Sequence, residues 1–341
     1  MELTSLVIGD CHFKPKAMVA VQRMAAAILQ VAQKRRPDFI VLLGDTLDQH
    51  ETVHSIVHKE ATKFIRELSL VAPVYLIIGN HDRPNNSDFL SPDHHFTPLH
   101  YVENVTVVDK VLYREIKERK FIFVPYVPPG RFHEALATLP HDYHGVTAIF
   151  AHQEFRGAKM GAIESIQGDV WPLEEPYVIS GHIHDYDELQ ANILYTGTPM
   201  QHAFGDKEDK TISFFTFGEV RCHERIDLQL PKKRLLHLSC QQVLNLDSAS
   251  FNPDDETKIV ITGTAAEIKT LRKMQIIKDL KALGVKECYK ETREDIATSG
   301  AFAFSSGTSY YEKLTMAVSS EVSVSQLLRE LFGPCKSVSG T

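Results

Sequence analysis

Val74-Tyr75-Leu76-Ile77-Ile78-Gly79-Asn80-His81-Asp82 passes from five apolar residues, four of them β-branched or aromatic, through one glycine into three side chains that bind metals or move protons. Four other stretches are built the same way. Leu6-Val7-Ile8 leads into Gly9-Asp10-Cys11-His12, and Phe39-Ile40-Val41-Leu42-Leu43 into Gly44-Asp45. Ala148-Ile149-Phe150 leads into Ala151-His152, and Tyr177-Val178-Ile179 is followed closely by Gly181-His182-Ile183-His184. Short β-rich runs stopped by small residues read as buried parallel strands. Open α/β sheets gather such strand ends at one edge, where they bind ligands. The sequence therefore predicts a single site assembled from five strand ends.

The endings offer oxygens from Asp10, Asp45 and Asn80 and imidazoles from His12, His152, His182 and His184. Mixed oxygen and nitrogen donors that need no cysteine suit borderline to hard divalent ions such as Mn²⁺, Mg²⁺, Fe²⁺ or Zn²⁺. An extended backbone would turn Asp10 and His12 to one face with Cys11 opposite, and would do the same for His182 and His184. One Asp-x-His is weak, because most histidines are satisfied surface or half-buried groups. Five ligand clusters, each at a strand end, are very hard to reach by chance.

These residues resemble the calcineurin-like metallophosphoesterase superfamily, whose pattern is D-x-H, G-D-x-x-D, G-N-H-D/E, H and G-H-x-H, and every element occurs here. The resemblance implies one ion held by Asp10, His12, Asp45 and His184 and a second held by Asp45, Asn80, His152 and His182, with Asp45 bridging. Two divalent ions are expected, Mn²⁺ first and Mg²⁺ as the alternative. Cations about 3.5–4 Å apart need a shared carboxylate, and together they generate a hydroxide and clamp a phosphate in line. His81, at the tip of the same loop as Asn80, is expected to face the substrate as a catalytic residue, with catalytic Asp82 fixing its tautomer and raising its basicity. Its imidazolium could stabilise phosphorane charge or protonate the leaving oxygen. The plainer role is to orient Asn80.

Composition agrees with a globular enzyme. With 341 residues, 43% of them hydrophobic, the chain can bury a full core and form one large and one small domain. No apolar stretch approaches the roughly 20 residues a bilayer span needs, and MELTSLVIGD reads as the first strand rather than a signal peptide, so no membrane contact and a cytoplasmic, DNA-associated location are expected. Five scattered cysteines, an odd count, predict free thiols. Helices are predicted over 17–36 and 52–70. The strand-rich stretch that follows, ending near Phe217, predicts two packed sheets with helices outside: an α/β, four-layer αββα sandwich, which is also the superfamily's fold.

Near Pro231 the charge balance changes. Residues 231–341 carry 15 Lys and Arg against 13 Asp and Glu, leaving 22 against 31 for the first 230, so the net charge of −7 belongs to the catalytic half. Bound cations would over-neutralise that acidity locally, and nucleic-acid binding follows neither way from global charge. The expected organisation is a metallophosphoesterase domain at 1–230, a small α+β capping domain at 231–318, and a C-terminal amphipathic helix and tail at 319–341. In the cap, 258–263, 265–283 and 285–289 read as strand, helix and strand, and Lys269, Arg272 and Lys273 form a basic face; taken alone, an ordinary solvated surface explains it better.

The whole layout resembles the nuclease subunit of the Mre11/SbcD type, bacterial and phage branch. That resemblance implies a DNA repair or recombination nuclease with exonuclease and endonuclease activity, DNA contacts by the cap, and a tail that binds a Rad50/SbcC-like SMC-type ATPase; a homodimer is a further expected partner. Leu327, Leu328 and Leu331, with Val324, make the stripe such a tail would offer. Several members of that branch place a second catalytic histidine three residues after the bridging aspartate, where this chain has Asp48. The competing readings are a small-molecule nucleotide phosphodiesterase, a protein phosphatase (disfavoured, since Gln49-His50 stands where those enzymes have Arg-Gly), and a scaffold without catalysis for the ATPase. His50, His54 and His58, spaced by four, share a face on a helix; they could line the substrate groove or bind an adventitious metal, but a solvated helix face is the expected reading. His94 and His95 carry no readable role. Trp171 and Tyr186 could stack on a base or cover the rim of the site, and the rim is the expected place.

Overall fold

The computed structural model describes residues 2–140, 142–161, 163–247 and 251–292. Its elements in chain order are β1 (Leu3–Ile8), α1 (Met18–Arg35), β2 (Phe39–Leu42), α2 (Ser55–Ser69), β3 (Val74–Ile77), β4 (Val105–Val108), β5 (Leu112–Ile116), β6 (Arg119–Val124), α3 (Phe132–Leu136), β7 (Ala148–His152), β8 (Lys159–Met160), β9 (Ile163–Glu164), β10 (Val178–Gly181), β11 (Asp187–Gln190), β12 (Ile193–Tyr195), β13 (Ile212–Phe217), β14 (Arg221–Ile226), β15 (Lys233–Ser239), α4 (Cys240–Leu244), β16 (Glu256–Gly263), α5 (Ala265–Leu271), α6 (Gln275–Ala282) and β17 (Lys286–Glu291).

Two six-stranded sheets form the body of the fold up to β14, in the orders β14-β13-β1-β2-β3-β4 and β11-β12-β10-β7-β6-β5. Strands β1 to β4 run parallel, as do β12, β10, β7 and β6, with antiparallel strands at the margins. All five motif-bearing strands are thus parallel strands of one or other sheet, and their C-terminal ends carry the ligand loops. The inner faces pack together through Val7, Val41, Ile77, Phe123, Phe150 and Ile179, among others. The outer face of the first sheet is covered by α1 and α2 through Val21, Met24, Ile28, Phe64, Ile65 and Leu68. On the second sheet the outer cover is thinner: five-residue α3 plus loops that carry Phe155 and Trp171. Trp171 is therefore a core residue and not part of a rim; its indole N–H donates to the Pro176 carbonyl at 2.9 Å.

β14 has an exposed edge sequence without apolar alternation, which hid it from pattern reading. β15, also unpredicted, pairs parallel with β16, and β16 pairs parallel with β17 over a separate apolar cluster that includes Ile259, Ile261, Ile268, Ile277 and Leu280. The helix expected over 265–283 is broken in two. In one continuous helix Ile277, nine residues after Ile268, would point to the opposite face at 100° per residue; the interruption before Gln275 lets both bury against the sheet. Helix α2 starts at Ser55 rather than 52, so His50 stands in the preceding loop and shares no helix face with His58. Cys11, Cys222, Cys240 and Cys288 are free thiols; Cys335 and the stripe of Leu327, Leu328 and Leu331 lie outside the described residues. Among the described residues no helix is long and apolar enough to cross a membrane.

Candidate metal centre

The ligand loops meet because their turns are tight and their glycines leave no space to fill. Gly44 has φ +102°, and a Cβ there would lie 2.5 Å from His152 Nδ1. At Gly79 a Cβ would lie 2.2 Å from Asp45 Oδ1 and 2.3 Å from the Asp45 backbone nitrogen. The expected extended Asp-x-His geometry is not what forms. His12, Asp45 and His182 have φ of 44°, 46° and 80°, in the left-handed region. Each such residue costs about 1–2 kcal/mol of backbone strain, and such strain persists only where surrounding contacts over-determine the turn. Here those contacts include the His12 N–H bonded to the Asp45 carbonyl at 3.0 Å and the His182 N–H shared by both Asp10 oxygens at 3.1 Å.

Two donor groups result. Asp10, His12 and His184 have ligand atoms all within 4.8 Å of one another, as do Asp45, His152 and His182. In the first, His12 Nε2 and His184 Nε2 approach to 3.0 Å. In the second, Asn80 Oδ1 lies 3.0 Å from His152 Nε2 and 3.1 Å from His182 Nδ1, with 3.2 Å between the two imidazole nitrogens. Asp45 lies between the groups, with Oδ1 3.4 Å from His152 Nε2 and Oδ2 4.0 Å from His12 Nε2. His152 Nδ1–H donates to the Leu43 carbonyl at 2.7 Å, which leaves Nε2 free to coordinate an ion.

The charges show why cations fit. Asp10, Asp45, His12 and His152 are buried, and no Lys or Arg pairs with either carboxylate among the described residues. Burial pushes the Asp10 carboxyl up to about 7, offset only in part by His152. Burial acts on Asp45 the same way, but His152, His12 and His81 outweigh it and hold that carboxyl below its usual range. His152, despite burial, is held up to about 9 by Asp45 and Asp10, whereas burial drives His12 down to about 3. A buried carboxylate pair facing imidazole lone pairs from two sides is a donor set for two divalent ions.

Asp82 does not serve His81 as expected. It is fully buried and accepts backbone N–H bonds from Leu47 at 2.9 Å, Gly79 at 3.0 Å and Thr46 at 3.4 Å, tying the second and third ligand loops together. Burial and the neighbouring Asp45 push its carboxyl up to about 6. The partner of His81 Nδ1 is instead the Asp48 carbonyl at 2.9 Å, while Nε2 lies 3.8 Å from Asp45 Oδ2. Asp48 itself points toward Lys14 at 3.3 Å and His12 Nδ1 at 3.7 Å.

Sequence reasoning missed two side chains at the centre, His202 and Glu154, and ranked a groove role for a third, His50, below a solvated helix face. His50, set aside as a solvated helix residue, stacks on His81 with ring centroids 4.1 Å apart. His202 has its ring 5.0 Å from that of His12 and bonds the Asp10 carbonyl at 3.3 Å. Glu154 Oε2 lies 3.8 Å from His182 Nε2. Two residues past His152, Glu154 was the only one of them with a positional hint. Of the other singled-out residues, Lys269, Arg272 and Lys273 are exposed on α5 and the break after it, and the Arg272 guanidinium lies 4.1 Å over the Tyr289 ring. The Tyr186 hydroxyl donates to Glu188 at 2.6 Å, and the Arg225 guanidinium covers its ring. His94, His100 and Asp109 form another cluster of metal-ligating types, but His94 Nδ1 accepts the Phe96 N–H at 3.1 Å. Nε2 then carries the proton, which suits a donor toward Asp109 rather than a ligand.

The donor groups open onto a cleft of about 310 Å³ lined by Asn80, His81, Lys159, His182, Asp206 and Lys207 among others. A second cleft of about 640 Å³ is lined by Asp48, His50, Glu51, Pro84, Asn85 and Asn86 among others, and its His50 ring stacks on His81 of the first.

Residues 3–186 match the family described as calcineurin-like phosphoesterase. The candidate phosphoesterase 078R of Invertebrate iridescent virus 3 is 37% identical over 293 residues, covering 85% of this chain and 84% of that protein. The candidate phosphoesterase 244L of Invertebrate iridescent virus 6 is 36% identical over 280 residues, covering 80% of this chain and 98% of that one. A solved structure described as a novel archaeal phosphodiesterase is 14% identical, with a TM-score of 0.35 over 66% of this chain and 100% of that chain. On the family match and the two viral relatives, this chain belongs to the calcineurin-like phosphoesterases, a family of phosphoester hydrolases.

Proposed function

We propose that this phosphoesterase is a two-metal nuclease that cuts DNA phosphodiesters, working in DNA repair or recombination beside an SMC-type ATPase of the Rad50/SbcC kind. The observation that carries the reading is the pair of clefts, one lined by His81 and the other by His50, whose rings stack on each other. A substrate that extends on both sides of the scissile phosphate has room to lie along them, as a polymer does and a small ester does not require.

Asp10, His12 and His184 would hold one ion, Asn80, His152 and His182 the other, and Asp45 both. Bound there, divalent ions would supply Lewis acidity toward the phosphoryl oxygens and lower the pKa of water, and Mn²⁺ or Mg²⁺ are the ions proposed from the borderline to hard set that the donors suit. The protein's own contribution centres on His81. Its Nδ1–H is committed to the Asp48 carbonyl, so Nε2 is the atom that takes up and returns a proton, and a protonated Nε2 donates to the departing oxygen. Burial lowers its pKa, against the pull of Asp45, so the protonated ring gives its proton up readily to the departing oxygen. Lys159 and Lys207 line the cleft and would meet flanking phosphates; Lys207 is paired with Asp185 at 3.0 Å and must exchange partners to do so.

The test is to incubate labelled linear duplex, single-stranded and hairpin DNA with Mn²⁺ or Mg²⁺, beside a cyclic dinucleotide. Degradation of DNA with little turnover of the dinucleotide supports the reading. Turnover of the dinucleotide alone replaces it with a nucleotide phosphodiesterase.

A further inference from the structure

We infer that His50 is a positioning residue for His81, and that the two imidazoles form a reciprocal lock between the loop after β2 and the loop after β3. This rests on the phosphodiesterase reading above. His50 Nδ1 bonds the carbonyl of Asn80, the residue beside His81, at 2.8 Å. His81 Nδ1 bonds the carbonyl of Asp48, in the loop that carries His50, at 2.9 Å. Each ring donates its one Nδ1 proton to the other loop, and the rings stack between these bonds with an interplanar angle of 25°. A carbonyl accepts only, so both neutral rings are fixed as Nδ1–H tautomers with Nε2 left bare.

The lock is braced from behind. The His50 carbonyl accepts a hydrogen bond from His95 Nε2 at 2.7 Å, and the His95 carbonyl accepts one from His58 Nε2 at 2.8 Å. His58 lies on α2, so His50 is anchored through His95 to a helix packed on the first sheet. Asn80 is a metal-ligand candidate through its side chain while its carbonyl is held by His50. One histidine therefore fixes both the ring that faces the cleft and the backbone of the loop that carries a ligand. Asp48 is bonded through its backbone, so its side-chain identity leaves this half of the lock unchanged.

The experiment is a double-mutant cycle on the full chain with Mn²⁺ and bis(p-nitrophenyl) phosphate, a generic phosphodiester. His50→Ala should lower kcat about 10–100-fold, as expected when a catalytic group is displaced by about 1 Å, with metal content per chain unchanged. His50→Phe, which keeps a ring to stack on but no donor, should lose less than His50→Ala. His50→Ala combined with His81→Ala should be no slower than His81→Ala alone, because a residue that acts through His81 has nothing left to position. Independent, multiplying losses would overturn the inference, as would an unchanged kcat in His50→Ala. If the wild type turns over no phosphodiester at all, the functional reading fails separately. The lock is then judged by ¹H–¹⁵N correlations of the ring nitrogens. A single Nδ1–H tautomer of His81 in the wild type that becomes mixed in His50→Ala supports it, and an unaltered tautomer in the variant refutes it.

Discussion

Gly79→Ala adds one carbon where the third ligand loop crosses the second. The new Cβ would sit 2.2 Å from Asp45 Oδ1 and 2.3 Å from the Asp45 nitrogen, whereas ordinary contact begins at 3.4 Å. The carboxylate oxygen can swing aside, but the nitrogen belongs to the backbone, so the loops must part by about 1.1 Å, the difference between 3.4 and 2.3. The His81 N–H bond to Asp45 Oδ1, now 2.8 Å, would stretch beyond hydrogen-bond reach, and with it the placement of Asn80 and His81 relative to the bridging carboxylate. Overpacking of this kind costs roughly 1–3 kcal/mol, which in a chain of 341 residues lowers the melting temperature by roughly 1–4 °C. A misplacement of about 1 Å at reacting groups costs about 10²-fold in rate. The assay is kcat and bound-metal content for Gly79→Ala beside Gly145→Ala, where a Cβ meets nothing within 4 Å. The control should be within about 0.5 kcal/mol of wild type. A Gly79→Ala protein that kept full turnover and two ions per chain would refute the argument that backbone approach at this crossing sets the site.

Asp45→Ala should abolish binding of both ions, since neither donor group then keeps its shared carboxylate; elemental analysis that still found two ions per chain would show the bridge is misassigned. His81→Ala should retain the ions and lose about 10²–10⁴-fold in kcat on a phosphodiester, with KM little changed; near-normal turnover would leave His81 a structural role. After chelation, the His152 imidazolium, held up to about 9, should contribute stability that is complete below its unfolded value of 6.5 and lost as pH rises toward 9. Asp10, pushed up from 3.8 to about 7 by burial, acts in the same direction but at lower pH, its contribution being lost between pH 3.8 and 7. The melting temperature of the chelated protein should therefore fall between pH 6.5 and 9, and a rise over that window would contradict the assigned pairing.

The strand-end motifs announced their chemistry because each element is local. A β-rich run, a glycine and a metal-ligand residue can be read within nine residues, and parallel sheets bring such ends to one edge wherever the intervening helices happen to start. The periodic helices were legible for a similar reason, α1 being within a residue of its expected limits. What lacked a local signature was decided by packing between distant loops. The left-handed turns at His12, Asp45 and His182 come from hydrogen bonds between one ligand loop and another. The partner of His81 is a carbonyl that any residue at position 48 would supply, so no side-chain pattern could mark it. Asp82 looked like an adjunct of its neighbour, but burial turned it toward three backbone amides. His50 read as surface because its spacing to His54 and His58 suggested a helix face, while in the fold the helix begins five residues later and the loop lays His50 against His81. The sequence alone determined which atoms could bind metal and at which strand ends they stand; the tertiary structure decided their turns and their neighbours, because those depend on contacts between segments whose separation along the chain carries no periodic signal.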